Sequence, residues 1–373
     1  MLSFINWDVS PEIFSLGFLS IRWYGLLFAS GFLIGYFLMI KMYKQEGKSE
    51  QYVEVLTTYM VIATVIGARL GHCLFYEPEY FLANPIEILY VWQGGLASHG
   101  ATIAILIALY LYTRKYKDQS YLYVLDRIVI TIALAGACIR IGNLMNSEII
   151  GEPTQLPFGF VFVHSAEERL LWENTNEESL TRYIKAVDFD SKGRDTTING
   201  RKFLILNMAL ELRKSGLTEA SMNQYLQQNI KPILALDEEP HDKNDHIWVP
   251  DNADLKVHFT TSKNGNPVIN AEVYGIPRHP AQLYEALSCI ALFILLYTLY
   301  NRTKAHTPEG RIFGLFLTIL FTTRFLFEFL KESQVPFEDQ MPLNMGQLLS
   351  LPFILTGIII LIYSYKQKKR IYR

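Results

Sequence analysis

Charged side chains and basic character are both scarce in this 373-residue sequence. Asp, Glu, Lys and Arg make up 19% of the residues, and the formal net charge is only −2. A nucleic-acid-binding protein needs a basic surface, so we expect no nucleic acid among the partners. The three cysteines are far apart and in no metal-ligand spacing, and the sequence has no HExxH, G-x-S-x-G or P-loop motif. We therefore expect no metal site and none of the enzyme classes that those motifs mark.

Apolar runs of about 20 residues are abundant instead, and each is long enough to cross about 30 Å of hydrocarbon as a helix. This pattern excludes a soluble single-domain enzyme. It predicts an all-α polytopic membrane protein with about seven transmembrane helices. The predicted spans are 18–41, 52–76, 95–113, 121–142, 279–300, 311–330 and 346–365.

Lysine and arginine are distributed unevenly among the connections between these spans. The loops 41–48, 114–117 and 301–311 and the tail after the last span each carry at least three of them, whereas the N-terminus before span 1 and the 77–94 loop carry none. Basic loops face the cytoplasm. We therefore expect the N-terminus outside and the C-terminus in the cytoplasm.

The connection 152–278 is too long for an ordinary loop. It is about a third of the chain but carries nearly half of the charged side chains. We predict three parts: 1–151 with spans 1–4, 152–278 as a mixed extracytoplasmic insertion with helical stretches such as 201–214, and 279–373 with spans 5–7 and a basic cytoplasmic tail. We find no catalytic motif in the insertion.

With this topology, all seven spans carry polar side chains near their outer ends. One interpretation is that long side chains extend to the membrane surface. That does not account for a histidine between small residues, or for Arg324 and Glu328 on one helix face at i and i+4. We therefore predict a polar cavity in the outer leaflet. Its candidate residues are Tyr24, Arg69, His99, Arg140, Asn143, Asn146, Glu148, Gly151, Arg324 and Glu328.

The residue types in this cavity favour an anionic ligand. Arg69, Arg140 and Arg324 have planar guanidinium groups that suit phosphate oxygens, and an anionic phospholipid headgroup carries a phosphate at this depth. Histidine is a common general base at physiological pH, so His99 could serve as one here. The alternative for His99 is a structural histidine that is hydrogen-bonded to a neighbouring helix.

At these residues the sequence resembles the bacterial prolipoprotein diacylglyceryl transferases. The matching stretches are Ile21-Arg22-Trp23-Tyr24-Gly25, Gly67-Ala68-Arg69-Leu70-Gly71, Trp92-Gln93-Gly94-Gly95, His99-Gly100, the stretch from Arg140-Ile141-Gly142-Asn143 to Gly151, His279-Pro280, Gln282-Leu283-Tyr284-Glu285, Arg324 with Glu328, and Met345-Gly346-Gln347. The sequence departs from the family pattern at Ala101, Leu144, Thr322 and Lys331. The usual residue at position 331 is arginine.

The resemblance implies transfer of a diacylglyceryl group from phosphatidylglycerol to the lipobox cysteine thiol of a prolipoprotein, with release of glycerol phosphate. It implies a bacterial inner-membrane enzyme, with membrane lipids and prolipoprotein signal peptides as partners and no cofactor. The implied catalytic residues are His99, Tyr24, Arg140, Asn143, Arg324 and Glu328. The implied lipid-binding residues are Arg140, Arg324, Arg69, Asn146, Glu148 and Gly151.

Two alternatives remain at this point. A transporter or flippase for an anionic lipid or solute could use the same cavity, but it needs polar groups in both leaflets, and Asp126-Arg127 is the sole candidate on the inner side. A receptor or assembly factor could act through the 152–278 insertion, in which case His99 and Arg140 would be replaceable.

Overall fold

The computed structural model describes residues 4–16, 19–91, 95, 97–172, 184–213, 217–234, 246–250, 255–332, 338 and 341–371, without the side chains of 169, 192, 233 and 367–371. The helices in these ranges are α1 (Trp23–Gln45), α2 (Gln51–Phe75), α3 (Pro78–Ala83), α4 (Ser98–Lys115), α5 (Tyr121–Met145), α6 (His164–Trp172), α7 (Glu219–Tyr225), α8 (Lys231–Leu234), α9 (Ala281–Thr303), α10 (Arg311–Phe327) and α11 (Met345–Ile371). The strands are β1 (Ile5–Trp7), β2 (Glu12–Leu16), β3 (Leu19–Arg22), β4 (Phe160–Phe162), β5 (Ile184–Ile198), β6 (Arg201–Leu212), β7 (Ile247–Trp248), β8 (Val257–Thr261) and β9 (Pro267–Gly275).

Six of these helices, α1, α2, α5, α9, α10 and α11, are long and apolar enough to cross a membrane. Many of their large apolar side chains are exposed: Leu33 and Phe37 of α1 are 59% and 60% exposed, and Ile359 of α11 is 65% exposed. Such faces suit hydrocarbon rather than water. The protein is therefore a multi-pass membrane protein, as predicted.

The remaining predicted span, 95–113, overlaps α4. This helix has 18 residues and a length of about 27 Å, and it begins with Ser98-His99-Gly100 and ends with two basic residues. It packs closely on α2: a Cβ atom on Gly100 would lie 2.3 Å from the carbonyl oxygen of Gly67. Gly67 and Gly100 therefore allow α2 and α4 to pack closely.

Two compact units divide the chain. Unit 1 comprises 1–27, 139–286 and 324–348, and unit 2 comprises 28–138, 287–323 and 349–373.

Unit 1 contains a five-stranded antiparallel sheet in the order β5-β6-β9-β7, with β8 also paired to β9. One face of this sheet packs against helices α6, α7 and α8. Alternate residues of β6, from Leu204 to Leu212, and of β9, from Ile269 to Val273, are fully buried in that core. The described part of 152–278 is thus mixed, with helices and a sheet.

Two sequence predictions in unit 1 are wrong. Residues 201–212 form strand β6 instead of a helix, because their apolar residues recur at every second position. Span 1 does not begin at residue 18: α1 begins at Trp23, and β3 before it pairs with β2 in an antiparallel hairpin that joins Glu12 to Arg22. No strand was predicted before span 1, yet β1 also lies there and pairs with β4.

Unit 2 contains a fully buried ion pair between Glu46, at the end of α1, and Arg127 of α5. Arg127 donates from Nε and Nη2 to the two carboxylate oxygens at 3.1 and 3.0 Å. The hydroxyls of Tyr123 and Tyr300 donate to the same carboxylate at 2.5 and 2.8 Å, and both charged side chains are 1% exposed. Every lone-pair direction of this carboxylate is therefore used within the unit.

Asp126, next to this pair, caps helix α10. Its carboxylate accepts hydrogen bonds from the backbone N–H groups of Gly310 and Phe313 at 2.7 and 2.8 Å. A carboxylate at a helix N-terminus satisfies orphan donors and interacts favourably with the helix dipole.

Candidate active site

Five charged side chains of unit 1 alternate in sign and contact one another in sequence. Arg140 Nη1 lies 3.0 Å from Glu285 Oε2, and Lys331 Nζ lies 2.8 Å from the other oxygen of Glu285. Lys331 Nζ also lies 3.0 Å from Glu328 Oε1, and Arg324 Nε lies 3.6 Å from that same oxygen. We call Arg140, Glu285, Lys331, Glu328 and Arg324 the ion-pair network.

The local fold explains why these residues meet. Arg140 is in the last turns of α5, and Glu285 is in the first turns of α9. Arg324 is near the end of α10, and the helix continues as a 3-10 turn (Glu328–Leu330), so Glu328 and Lys331 follow at four and seven residues. Residues at these spacings lie on one helix face.

Burial within the network increases towards its middle. The side chains of Lys331, Glu285 and Glu328 are 3%, 6% and 9% exposed, whereas those of Arg140 and Arg324 are 20% and 41% exposed. Three cations and two carboxylates leave a net charge of +1. The network therefore presents two arginines and an unbalanced positive charge, which is what an anionic ligand with one charge requires.

A second cluster forms where α5 ends. Glu148 accepts hydrogen bonds from the side-chain amides of Asn143 and Asn146, at 3.1 and 2.9 Å. Ser147 and Ile149, on either side of Glu148, have φ values of 52° and 58°, a left-handed conformation that is costly for isoleucine. Such strain persists only where its surroundings fix it, and it is common at functional sites.

Gly151, predicted to bind lipid, lies where its backbone comes close to the backbones of His279 and Leu330. Its N–H donates to the carbonyl of His279 at 3.0 Å. A Cβ atom on Gly151 would lie 2.5 Å from that oxygen and 2.7 Å from the carbonyl oxygen of Leu330. Its contribution is therefore close packing of the turn after α5 against the segment that carries Lys331.

Tyr24 contacts the same end of α5. A Cβ atom on Gly142 would lie 2.9 Å from Cδ2 of Tyr24, so only glycine leaves room for the ring beside the turn that contains Arg140 and Asn143. The structure thus brings together eight of the predicted residues in unit 1: Tyr24, Arg140, Asn143, Asn146, Glu148, Gly151, Arg324 and Glu328.

Arg69 and His99 belong to unit 2. Arg69 is 4% exposed, and it donates to the carbonyls of Ile88 and Glu87 at 3.0 and 2.6 Å. His99 begins α4, where its exposed ring lies 5.0 Å from the ring of Phe75 and 5.8 Å from that of Tyr76. The stretch Trp92-Gln93-Gly94, part of the sequence resemblance, lies outside the described residues.

Glu285 and Lys331 were absent from the predicted site, although they hold the network together. Both were recognised only as polar residues near the outer ends of their spans, Glu285 also as part of a matching stretch and Lys331 as a departure from the family pattern. Its i, i+3 spacing from Glu328 was the available signal. Gln282 was also missed; its amide donates to the backbone carbonyl of Glu148 at 2.5 Å.

Six long apolar helices define a polytopic membrane protein, and the ion-pair network of unit 1 carries a net positive charge. The family model described as prolipoprotein diacylglyceryl transferase matches residues 11–363, and the chain belongs to this family. It is a transferase.

Named relatives match over nearly their whole length. A phosphatidylglycerol–prolipoprotein diacylglyceryl transferase of Tolumonas auensis is 35% identical over 364 residues, which cover 98% of this chain and 99% of the relative. Those of Porphyromonas gingivalis and Chloroherpeton thalassium are 36% and 34% identical, each over 98% of this chain and 96% of the relative. The long 152–278 connection is thus shared with these relatives.

Proposed function

We propose that this transferase moves the diacylglyceryl group of phosphatidylglycerol to the lipobox cysteine thiol of a prolipoprotein. The cysteine sulfur forms a bond to the glyceryl carbon, and the bond from that carbon to the phosphate oxygen breaks. The electron pair of the broken bond leaves with glycerol phosphate, and the thiol proton passes to a base. The observation that carries the proposal is the ion-pair network, with its net charge of +1 and its two accessible arginines.

Arg140 and Arg324 are the groups that bind the phosphate. A phosphodiester carries one negative charge, which neutralises the charge of the network. As the ester bond breaks, further negative charge develops on the phosphate oxygens, and guanidinium groups held in place stabilise it. The planar fork of arginine gives two parallel hydrogen bonds to such oxygens.

The two arginines are held in position by the side chains of Glu285, Lys331 and Glu328. Lys331 bridges the two carboxylates at 2.8 and 3.0 Å, and each carboxylate contacts one arginine. Without the lysine, two buried carboxylates would repel each other and release the guanidinium groups. The Lys331 ammonium is a point charge, which suits this bridge although arginine is usual at this position.

The cluster around Glu148 borders the same helix end, and we assign it to the glycerol headgroup. Asn143, Asn146 and the Glu148 carboxylate supply amide and carboxylate groups of the kind that hydrogen-bond hydroxyls. Tyr24 packs beside them.

His99 is the proposed base for the thiol proton. A thiol has a pKa of about 8.5 and a histidine of about 6.5, so the transfer is uphill in water. A positive field lowers the thiol pKa and makes the transfer feasible. The exposed ring of His99, held edge-on by Phe75, is accessible to such a partner.

In this proposal Arg69 does not contact the lipid directly. Its guanidinium donates to two backbone carbonyls of the connection after α2 and lies 4.9 Å from the ring of Phe81. It therefore positions that connection.

We also propose seven spans, with α4 as the third, in a bacterial inner membrane. The N-terminus and 152–278 then lie outside, and the basic tail lies in the cytoplasm. A cysteine in place of Asn199, in the turn between β5 and β6, is expected to react with an impermeant maleimide on intact spheroplasts, whereas one in place of Lys368 reacts only after lysis. Labelling in the opposite order would contradict this topology.

The decisive experiment combines purified protein, phosphatidylglycerol and a lipobox peptide. We expect lipidated peptide and glycerol phosphate to accumulate in equal amounts, and a peptide with serine in place of the lipobox cysteine to remain unmodified. If the peptide stays unmodified while labelled phosphatidylglycerol crosses the bilayer of proteoliposomes, the protein is a transporter and the proposal fails.

A further inference from the structure

A cavity of about 390 Å³ lies where α4 is followed by α5, in unit 2. This volume is within the range of about 300–1,000 Å³ for small-molecule sites. The residues that line it are all polar, basic or hydroxyl-bearing: Thr113, Arg114, Lys117, Gln119, Ser120 and Tyr121. None of them belongs to the site described above.

The lining is rich in hydrogen-bond donors. Arg114 and Lys117 are exposed cations. The Ser120 hydroxyl accepts from the backbone N–H of Tyr123 and keeps its own proton to donate, whereas the Thr113 hydroxyl donates to the carbonyl of Tyr110. The cavity also lies at the start of α5, a helix of 25 residues whose first turn begins at Tyr121. The N-terminus of a long helix favours an anion, because its first N–H groups lack helical partners and the helix dipole is positive there.

Gln119 provides a second, independent observation. Its side chain is 1% exposed, and its Oε1 accepts hydrogen bonds from the hydroxyls of Tyr43 and Tyr112 at 2.8 and 3.4 Å. The Tyr112 hydroxyl also lies 3.1 Å from the carbonyl oxygen of Tyr52, so the shorter hydrogen bond from Tyr43 is the one that holds Oε1 in place. Its Nε2 is buried, and among the described residues no acceptor contacts it. A buried donor without an acceptor is costly, and it indicates a missing ligand.

The neighbouring carboxylate does not oppose an anion. Asp118 lies within the same turn, but its Oδ2 is 3.2 Å from Nζ of Lys48, so its charge is compensated by a cation outside the cavity. The lining itself therefore carries a charge of +2 from Arg114 and Lys117.

We propose that this cavity binds a phosphate group, as a second anion site separate from the active site. Gln119 Nε2 and the helix start hold the phosphate oxygens, and Arg114 and Lys117 compensate their charge. The phosphate can belong to the headgroup of an anionic lipid, since basic pockets between membrane helices bind such headgroups, or it can be free phosphate.

Two variants test the site on the purified full-length protein by native mass spectrometry. Gln119→Glu keeps the oxygen that Tyr43 and Tyr112 donate to, but it replaces the free donor with a carboxylate oxygen. The double variant Arg114→Gln/Lys117→Gln removes both cations. The matched controls are Gln45→Glu and the double variant Lys115→Gln/Arg302→Gln, which change the charge equally at exposed positions of unit 2 that do not line the cavity.

We expect the wild-type and control proteins to retain one more phosphatidylglycerol than either site variant, with a dissociation constant at least about tenfold lower for that lipid. Phosphatidylcholine and inorganic phosphate are run as parallel probes. Retention of inorganic phosphate but not of the extra phosphatidylglycerol would identify free phosphate as the ligand. Equal binding of every probe by wild type, controls and site variants would overturn the proposal. Unchanged transfer to a lipobox peptide by both site variants shows that they are folded.

Discussion

Two of the buried ionic clusters among the described residues differ in how their charges are balanced. The Glu46–Arg127 pair in unit 2 has no net charge, and both side chains are 1% exposed. Two tyrosine hydroxyls donate to its carboxylate. The ion-pair network in unit 1 has three cations for two carboxylates, and its terminal arginines, Arg140 and Arg324, are 20% and 41% exposed.

This difference separates a structural role from a binding role. A buried pair whose every hydrogen bond is made within the protein has no capacity left for a ligand, and its removal affects folding. A cluster with one excess charge and accessible guanidinium groups has capacity left for the anion that we propose. Burial of charge alone would not have distinguished the two clusters.

The largest expected effect is a loss of stability when the Glu46–Arg127 pair is broken. Arg127→Met leaves the Glu46 carboxylate buried without its cation, which costs about 3–5 kcal/mol. We expect a large drop in the midpoint of thermal unfolding and an unchanged KM for phosphatidylglycerol in the protein that remains folded. The double variant Glu46→Gln/Arg127→Met should recover part of the loss, and Arg302→Met, at an exposed position, should be neutral. An altered KM would contradict the structural role.

Arg140→Lys is expected to reduce kcat/KM on the order of 100-fold while the protein stays folded. The ammonium keeps the contact with Glu285 but cannot give two parallel hydrogen bonds to phosphate oxygens. Initial rates of peptide lipidation measure the loss. Arg201→Lys, at an exposed position of β6, is the matched control. Wild-type turnover by Arg140→Lys would show that Arg140 is only a charged anchor.

Lys331→Met tests the middle of the ion-pair network. It lowers the net charge from +1 to 0, so we expect KM for phosphatidylglycerol to rise about tenfold, with a smaller change in kcat. Lys331→Met/Glu285→Gln restores the charge of +1 and is expected to recover part of the affinity, and Lys331→Arg most of it. If Lys331 has only a structural role, both Met variants should yield less folded enzyme, and the added Glu285→Gln should not restore KM for phosphatidylglycerol.

The effect that is smallest near neutral pH, and that develops only in acid, is a pH dependence in the sheet region of unit 1. Burial, and after it the charge of Arg278, lowers the pKa of His246 to about 3. Below pH 6.5 the unfolded chain binds a proton that the folded chain does not, so stability falls as the pH is lowered from 6.5 towards 3, by up to about 1.4 kcal/mol per pH unit. His246→Leu should flatten this part of the profile of unfolding midpoint against pH. His258→Leu, on an exposed position of β8, should leave it unchanged; an equal slope in all three proteins would show that His246 is not responsible.

Sequence alone was sufficient where a single local property determines the structure. Six of the seven predicted spans coincide with helices that are long and apolar enough to cross a membrane, because about 20 consecutive apolar residues have one stable solution there. Residues 201–214 were misread because an apolar run such as that around Leu204 and Leu206 suits a helix and a strand equally unless the alternation is counted. The start of span 1 was missed because β3 is stabilised by pairing with β2, a contact that composition does not reveal.

The residue types of the candidate site could be predicted from the sequence, but the contacts between these residues could not. Arg140, Arg324 and Glu328 were identified because charge is rare in membrane helices. Glu285 and Lys331 were left out because their importance lies in distances of 2.8 and 3.0 Å between segments far apart in sequence. Such distances depend on tertiary packing.

The left-handed residues on either side of Glu148 carry an evolutionary consequence. Ser147 and Ile149 hold backbone angles that glycine or asparagine would adopt with less strain. A screen that selects only for heat resistance would therefore favour those replacements early. Ile149→Gly is thus expected to raise the midpoint of thermal unfolding, and a parallel assay of peptide lipidation would show whether the proposed role of Glu148 depends on the strained turn.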